Sequence, residues 1–191
     1  MGIAAIIVLG LLLVLVVYAI MIYNNLVQIK HNVTKAWANI DVLLKQRHDE
    51  LPKLVETCKQ YMKFEQDTLT RVMEARSRVF NAREAQNISQ LGQAEGALRA
   101  TVGNLFALAE AYPDLKTNQT FQQLQTRISG LENAIADRRE FYNESVNVNN
   151  IRIEQFPDTI VAGMFGFKPA QLLEFQGGEK ADVDIGKLFK S

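Results

Sequence analysis

The chain has one cysteine, two histidines, one tryptophan and four prolines in 191 residues. A lone Cys58 excludes an intrachain disulfide and leaves the redox compartment unread. His31 and His48 with that one cysteine do not make a zinc site. No Glu-x-x-His pair of the kind that holds iron in carboxylate-bridged helical bundles is present. Gly-x-Gly-x-x-Gly and Walker-type loops are missing as well, so nucleotide binding has no motif behind it. His48 lies ten residues before Cys58. On a helix that is about 15 Å along the axis, too far for a thiol–imidazole pair. These absences point to a chain without cofactor and without a catalytic constellation.

Charge is scarce in two senses. The 21 basic and 21 acidic residues cancel, which argues against a nucleic-acid binder with its basic excess or stripe. Within residues 1–23, MGIAAIIVLGLLLVLVVYAIMIY, no side chain is charged at all. About 20 apolar residues cross the hydrocarbon core as a helix, so residues 1–23 are expected to be a transmembrane anchor. Tyr18 and Tyr23 sit toward its end, where amphipathic rings favour the membrane interface. Val17-Tyr18-Ala19 also resembles a signal-peptide cleavage site. The run continues past it and has no basic residue before it, which favours an uncleaved anchor. Lys30 and Lys35 follow the run closely, and by the positive-inside rule the C-terminal domain is expected in the cytoplasm, with an outward-facing domain as the alternative because the signal is two residues strong.

Few prolines and long uninterrupted patterns predict an all-α fold. From Val33, apolar or small residues recur at three-four spacing through Ala36/Trp37, Ile40, Leu43/Leu44, Leu51, Leu54/Val55, Cys58, Tyr61/Met62, Leu69 and Val72/Met73. Arg47 and Glu65 interrupt the stripe as register-fixing polar residues. Pro52 removes a backbone hydrogen bond, but the phase is kept across it, so a kink rather than a break is expected. This first arm is expected to run from Asn24 to about Phe80. A second, Gly-containing helix is expected from Ile88 to Leu108, and a third through Phe121, Ile128, Ile135, Tyr142, Asn149 and Phe156. The expected architecture is an up-and-down bundle of three or four helices over residues 24–156, with an irregular apolar tail at 157–191.

Three features could carry function. AEAYPDLKTNQTF concentrates Tyr112, Pro113 and Asp114 between two helices. Pro113 disfavours helix at the residue before it, and Thr117, Asn118 or Thr120 can cap the next helix, so the stretch reads as a helix-to-helix corner. In YNESVNVNN, Asn143, Asn147 and Asn150 form a candidate polar seam, either paired across the bundle or open to a polar ligand. In the tail, Met164, Phe165, Phe167, Leu172, Leu173 and Phe175 form a candidate interface, because large apolar patches mark contact surfaces. Its occupant could be the protein's own bundle, a neighbouring subunit or the membrane surface. Arg47, Glu65, Arg76, Glu110, Glu132 and Arg138 are candidates for interhelical ion pairs.

Several stretches together resemble the bacterial LemA family: YNNLV after the apolar run, AWANIDVLLKQR at 36–47, LPKLVE at 51–56, EAYPDLK at 110–116, RREFYN at 138–143 and FPDTIVAGMFGFKP at 156–169. Lys53 and Asn149 depart from the family's usual Asn and Tyr. The resemblance implies a single-pass membrane protein with a helical-bundle domain and no established enzymatic activity. The expected partners are the lipid bilayer of the bacterial inner membrane, further copies of the chain and other membrane proteins.

Overall fold

The computed structural model describes residues 2–175, and those residues contain helices and no strand. There are six helices: α1 (Ile3–Lys59), α2 (Gln66–Glu84), α3 (Ile88–Ala109), α4 (Pro113–Lys116), α5 (Gln119–Glu154) and α6 (Asp158–Phe165). They belong to two compact units. One, labelled the anchor unit after the anchor expected at its start, comprises residues 2–40 and 138–172; the other, the bundle unit, comprises 41–137 and 173–175. α1 and α5 each contribute residues to both units.

Pro52 neither breaks nor ends α1. A proline has no N–H to offer the carbonyl four residues earlier, which here belongs to His48. That carbonyl accepts a hydrogen bond from Arg76 Nε of α2 at 2.9 Å. The neighbouring helix supplies the donor that the proline lacks.

The first arm does not reach Phe80. α1 stops at Lys59, a turn through residues 60–65 follows, and α2 starts at Gln66. The Tyr61 and Met62 amides both close onto the Cys58 carbonyl, at 3.0 and 2.8 Å, while the Met62 side chain is buried. The chain then reverses: Arg83 pairs with Asp41 and Arg76 with His48, so α2 runs antiparallel to α1. The turn between α2 and α3 places Gln86 at φ 51, and Asn87 caps α3 by accepting from the Gln90 amide at 3.0 Å.

In the bundle unit, the 41–59 part of α1, α2, α3 and the 119–137 part of α5 form an up-and-down four-helix arrangement. Arg127–Glu50 and Asn118–Tyr61 tie α5 antiparallel to α1. Leu44, Leu51, Leu54, Leu69, Leu98 and Ile128 fill the core at 2% exposure or less. Gly92 of α3 serves a close approach. A Cβ there would lie 2.0 Å from the Glu174 carbonyl oxygen, so the segment after Leu172 runs directly over the helix.

In the anchor unit, α5 is antiparallel to α1 as well, with Arg152 donating to Asn25 and Trp37 edge-on to Tyr142 at 5.8 Å. The expected irregular tail contains a helix, α6. Asp158 opens it, where a carboxylate suits the helix dipole. Gly166 at φ 69 closes it, and the Phe167 amide returns to the Ala162 carbonyl at 3.0 Å. Eight residues are too few for a helical period to stand out in sequence. Residues 176–191 of the expected tail, with the Gln-Gly-Gly break, lie outside the described residues.

Candidate membrane-facing site

Ile22 and Leu26 are the first buried residues of α1, and before Ile22 the described part of the apolar run is exposed throughout. They form a small core with Ile153 of α5 and Val161 and Ala162 of α6, against which Phe167 packs. Tyr23 packs against Phe165 with the rings tilted, centroids 4.6 Å apart, and meets Phe167 edge-on at 5.9 Å. α6 therefore lies against α1 just where the apolar run ends.

The outward face of α6 has no charge. Its exposed residues are Thr159, Ile160, Gly163, Met164 and Phe165. Its single charged residue, Asp158, is buried and held by Arg152 Nε at 2.9 Å. Phe156, just before the helix, is 77% exposed and Met164 is 75% exposed. Past α6, Lys30, His31 and Val27 of α1 line a shallow groove of about 290 Å³ with Tyr23, Phe165 and Phe167.

The six candidate interface residues are thus divided. Met164, Phe165 and Leu172 are exposed, Phe167 and Phe175 are half-buried, and Leu173 is fully buried in the bundle unit. Leu173 is therefore a core residue rather than a free contact.

The amide seam has a visible task. Asn150 acts as a side-chain peptide: its Nδ2 donates to the Ala170 carbonyl at 3.0 Å and its Oδ1 accepts from the Ala170 amide at 2.9 Å. Asn149, buried at 5%, donates to Asn150 Oδ1 at 3.1 Å and lies 3.4 Å from the Lys168 carbonyl. The Tyr142 hydroxyl donates to the Gln171 carbonyl at 2.9 Å. Residues 168–171 form no helix or strand, and these side chains supply partners that regular structure would otherwise give. Of the three asparagines expected in the seam, Asn150 takes part, Asn143 is half-buried and Asn147 is exposed. Asn149 takes the inward position that Asn147 does not.

The bundle unit gathers charge instead. Arg47 Nη2 donates to Glu95 Oε1, and both side chains are almost wholly buried, at 3% and 2%. Arg47 Nε and Glu132 Oε1 are also buried and lack a hydrogen-bond partner. Burial pushes the Glu132 carboxyl above the usual carboxylate range, against the pull of Arg47 and Arg99. Of the expected ion-pair residues, Arg47 is paired as expected, with Glu95 as the partner that periodicity missed. Arg76 binds His48, Glu110 pairs with Lys116 at the surface, and Glu65 accepts from the Tyr112 hydroxyl at 3.3 Å. Arg138 is exposed. Burial also pushes the Cys58 thiol up to about 12, which leaves it protonated and unreactive at neutral pH.

At the corner, Tyr112 is half-buried, Pro113 stands at the first position of α4 and Asp114 is exposed. Among the caps considered for α5, Asn118 accepts from the Phe121 amide at 3.0 Å, and its Nδ2 donates to the Tyr61 hydroxyl at 3.0 Å. Thr120 lies inside α5 and so is not its cap.

Comparison with known proteins follows the same lines. Residues 36–186 match the profile of the LemA family. Protein LemA of Metamycoplasma hominis is 26% identical over 170 residues, covering 86% of this chain and 74% of the relative. Magnetosome protein MamQ 2 of Paramagnetospirillum magneticum is 30% identical over 97 residues, 51% of this chain. That match spans only 36% of the magnetosome protein's length. The chain belongs to the LemA family.

Proposed function

We propose that this LemA-family chain is a non-enzymatic, single-pass membrane protein that works as an interaction module, assembling copies of itself or other proteins at the bacterial inner membrane. One observation carries the reading: α1 is a single helix whose first part is apolar and exposed and whose later part is built into folded core. A hydrocarbon core of about 30 Å takes up the first 20 or so residues of such a helix. Lys30 and Lys35 support a cytoplasmic domain. The buried Cys58, whose thiol pKa burial raises, fits a role in contact rather than catalysis.

Resistance to alkaline carbonate extraction tests the anchor, and protease protection in inverted vesicles tests the orientation. Mass photometry of the detergent-solubilised full chain tests self-assembly. A monomer at every concentration contradicts self-assembly and leaves the anchor standing.

A second reading makes the amide seam of α5 a ligand sensor. It is favoured by a groove of about 350 Å³ where Asn149 meets Lys30, Thr34 and Lys168. It is opposed by the engagement of Asn150 with the chain's own Ala170. A polar metabolite screen by thermal shift, repeated with Asn149→Ala, separates the two readings.

A further inference from the structure

We infer that α6 is a second membrane contact: it lies in the interfacial layer of the bilayer, with Ile160, Met164 and Phe165 turned to lipid and Lys30, His31 and Lys168 level with anionic headgroups. This rests on the anchored reading above and adds an interfacial element to it.

Depth is the first support. If the apolar run crosses the bilayer, Tyr23 marks the end of the hydrocarbon. Phe165 touches Tyr23, and Val161 and Ala162 share a core with Ile22 and Leu26. α6 is thereby held within about one turn of α1 from the hydrocarbon edge, which is 5.4 Å. The headgroup region on each side is about 5–8 Å thick, taking a total near 40–45 Å against a core near 30 Å. Interfacial helices sit with their apolar face about 5–10 Å into this boundary.

Chemistry is the second support. A helix beside water is expected to show polar groups outward, whereas the exposed residues of α6 are apolar or small and neutral. Its one carboxylate is turned inward onto Arg152, so no free negative charge on α6 faces the lipid phosphates. Lys30 and His31 flank the groove beside Phe165 and are exposed, as is Lys168 just after the helix. Each such cation near an anionic leaflet adds to attachment. Glu154, at the end of α5, is an exposed acidic residue four positions before α6 and would oppose such attachment if it faces the same way. The patch is continuous with the apolar run, and this favours lipid over a second copy of the chain as its occupant.

The test uses the full-length chain in vesicles of phosphatidylcholine with phosphatidylglycerol. An environment-sensitive fluorophore is placed by Met164→Cys, by Ile160→Cys as a second site on α6, by Leu12→Cys in the anchor and by Phe64→Cys as an exposed reference. Spin-labelled lipids quench at shallow or deep positions, and iodide quenches from water. The expected result is loss of Met164 and Ile160 emission chiefly to the shallow lipid label, of Leu12 to the deep label, and of Phe64 to iodide. If Leu12 answers to the deep label while both α6 sites answer to iodide, the inference falls and the anchor stands. If Leu12 answers to iodide as well, both fall. If the α6 sites resist every quencher and self-quench as label density rises, a second copy covers them and the inference is overturned.

Discussion

Phe64 and Met164 are both large apolar side chains left in the open, at 96% and 75% exposure, one in each unit. Phe64 has Lys63 and Glu65 on either side of it in the turn after α1. Met164 shares the short helix α6 with Ile160 and Phe165, both more than half exposed. A solitary exposed apolar residue is ordinary, and a contiguous group of them calls for an occupant. The same contrast appears in the interiors. The bundle unit buries Arg47, Glu50 and Glu95, while the anchor unit buries Asn149 and Asp158. One unit spends its polar interior on fixing helices against helices. The other spends it on fixing an irregular segment and a short helix beside the apolar run.

The largest expected effect breaks the bundle side of this contrast. Glu95→Ala leaves the Arg47 guanidinium buried without its carboxylate and should destabilise by about 3–5 kcal/mol, read by denaturant titration of the solubilised chain. Replacing both residues by apolar ones of similar size should restore most of that loss, since the pair itself adds little. A Glu95→Ala chain as stable as wild type would remove the ion pair as a structural constraint.

Next comes Gly92→Ala. Alanine suits a helix better than glycine by about 1 kcal/mol, yet its Cβ would meet the Glu174 carbonyl. Overpacking of this kind costs about 1–3 kcal/mol, so the net change should be destabilising, with earlier proteolysis after Leu172. A stabilised, protease-resistant variant would mean the segment does not run over α3.

Asn150→Ala probes the anchor side. It should lose about 1 kcal/mol, and hydrogen exchange at the Ala170 amide should quicken while α2 and α3 amides stay unchanged. Unchanged exchange at Ala170 would break the assignment of the amide seam.

The smallest effect is a pH dependence in the bundle unit. Burial and then Arg76 hold the His48 pKa below 6.5. The unfolded chain therefore binds a proton that the folded chain does not, and stability should fall as pH drops below 6.5 until the folded-state pKa is passed. His48→Gln should flatten that limb of the stability profile measured across mildly acid pH.

Much of this was legible in the sequence because it was periodic. Of the stripe from Val33 to Met73, residues such as Ala36, Ile40, Leu44, Leu51, Cys58, Leu69 and Val72 are buried while Trp37, Leu43, Tyr61 and Met73 are half-buried, and Asn149 lies on the inward face of α5 as its spacing requires. What escaped was aperiodic. The turn at residues 60–65 contains no proline or glycine, and the apolar phase resumes at Leu69, so the sequence pattern runs on as one arm where two helices fold back. Pro52, the conspicuous breaker, was absorbed because Arg76 from another helix takes the freed carbonyl. Glu95 was hidden as an ordinary surface residue of a Gly-containing helix, and its partner is 48 residues away. The apolar residues of the tail were visible as a group. Their division into a buried Leu173 and an exposed α6 face depends on Gly166 and Phe167 closing the helix onto Tyr23, a tertiary event.

With α6 in the bilayer interface, the exposed apolar residues of the two units face different solvents. Nitroxide accessibility in the reconstituted full-length chain tests it most directly, with labels at Met164→Cys and Phe64→Cys and the buried Cys58 thiol left unlabelled. Met164 should be relaxed more by oxygen, which concentrates in lipid, and Phe64 more by a water-soluble nickel chelate. Equal, chelate-dominated relaxation at both positions would contradict the claim.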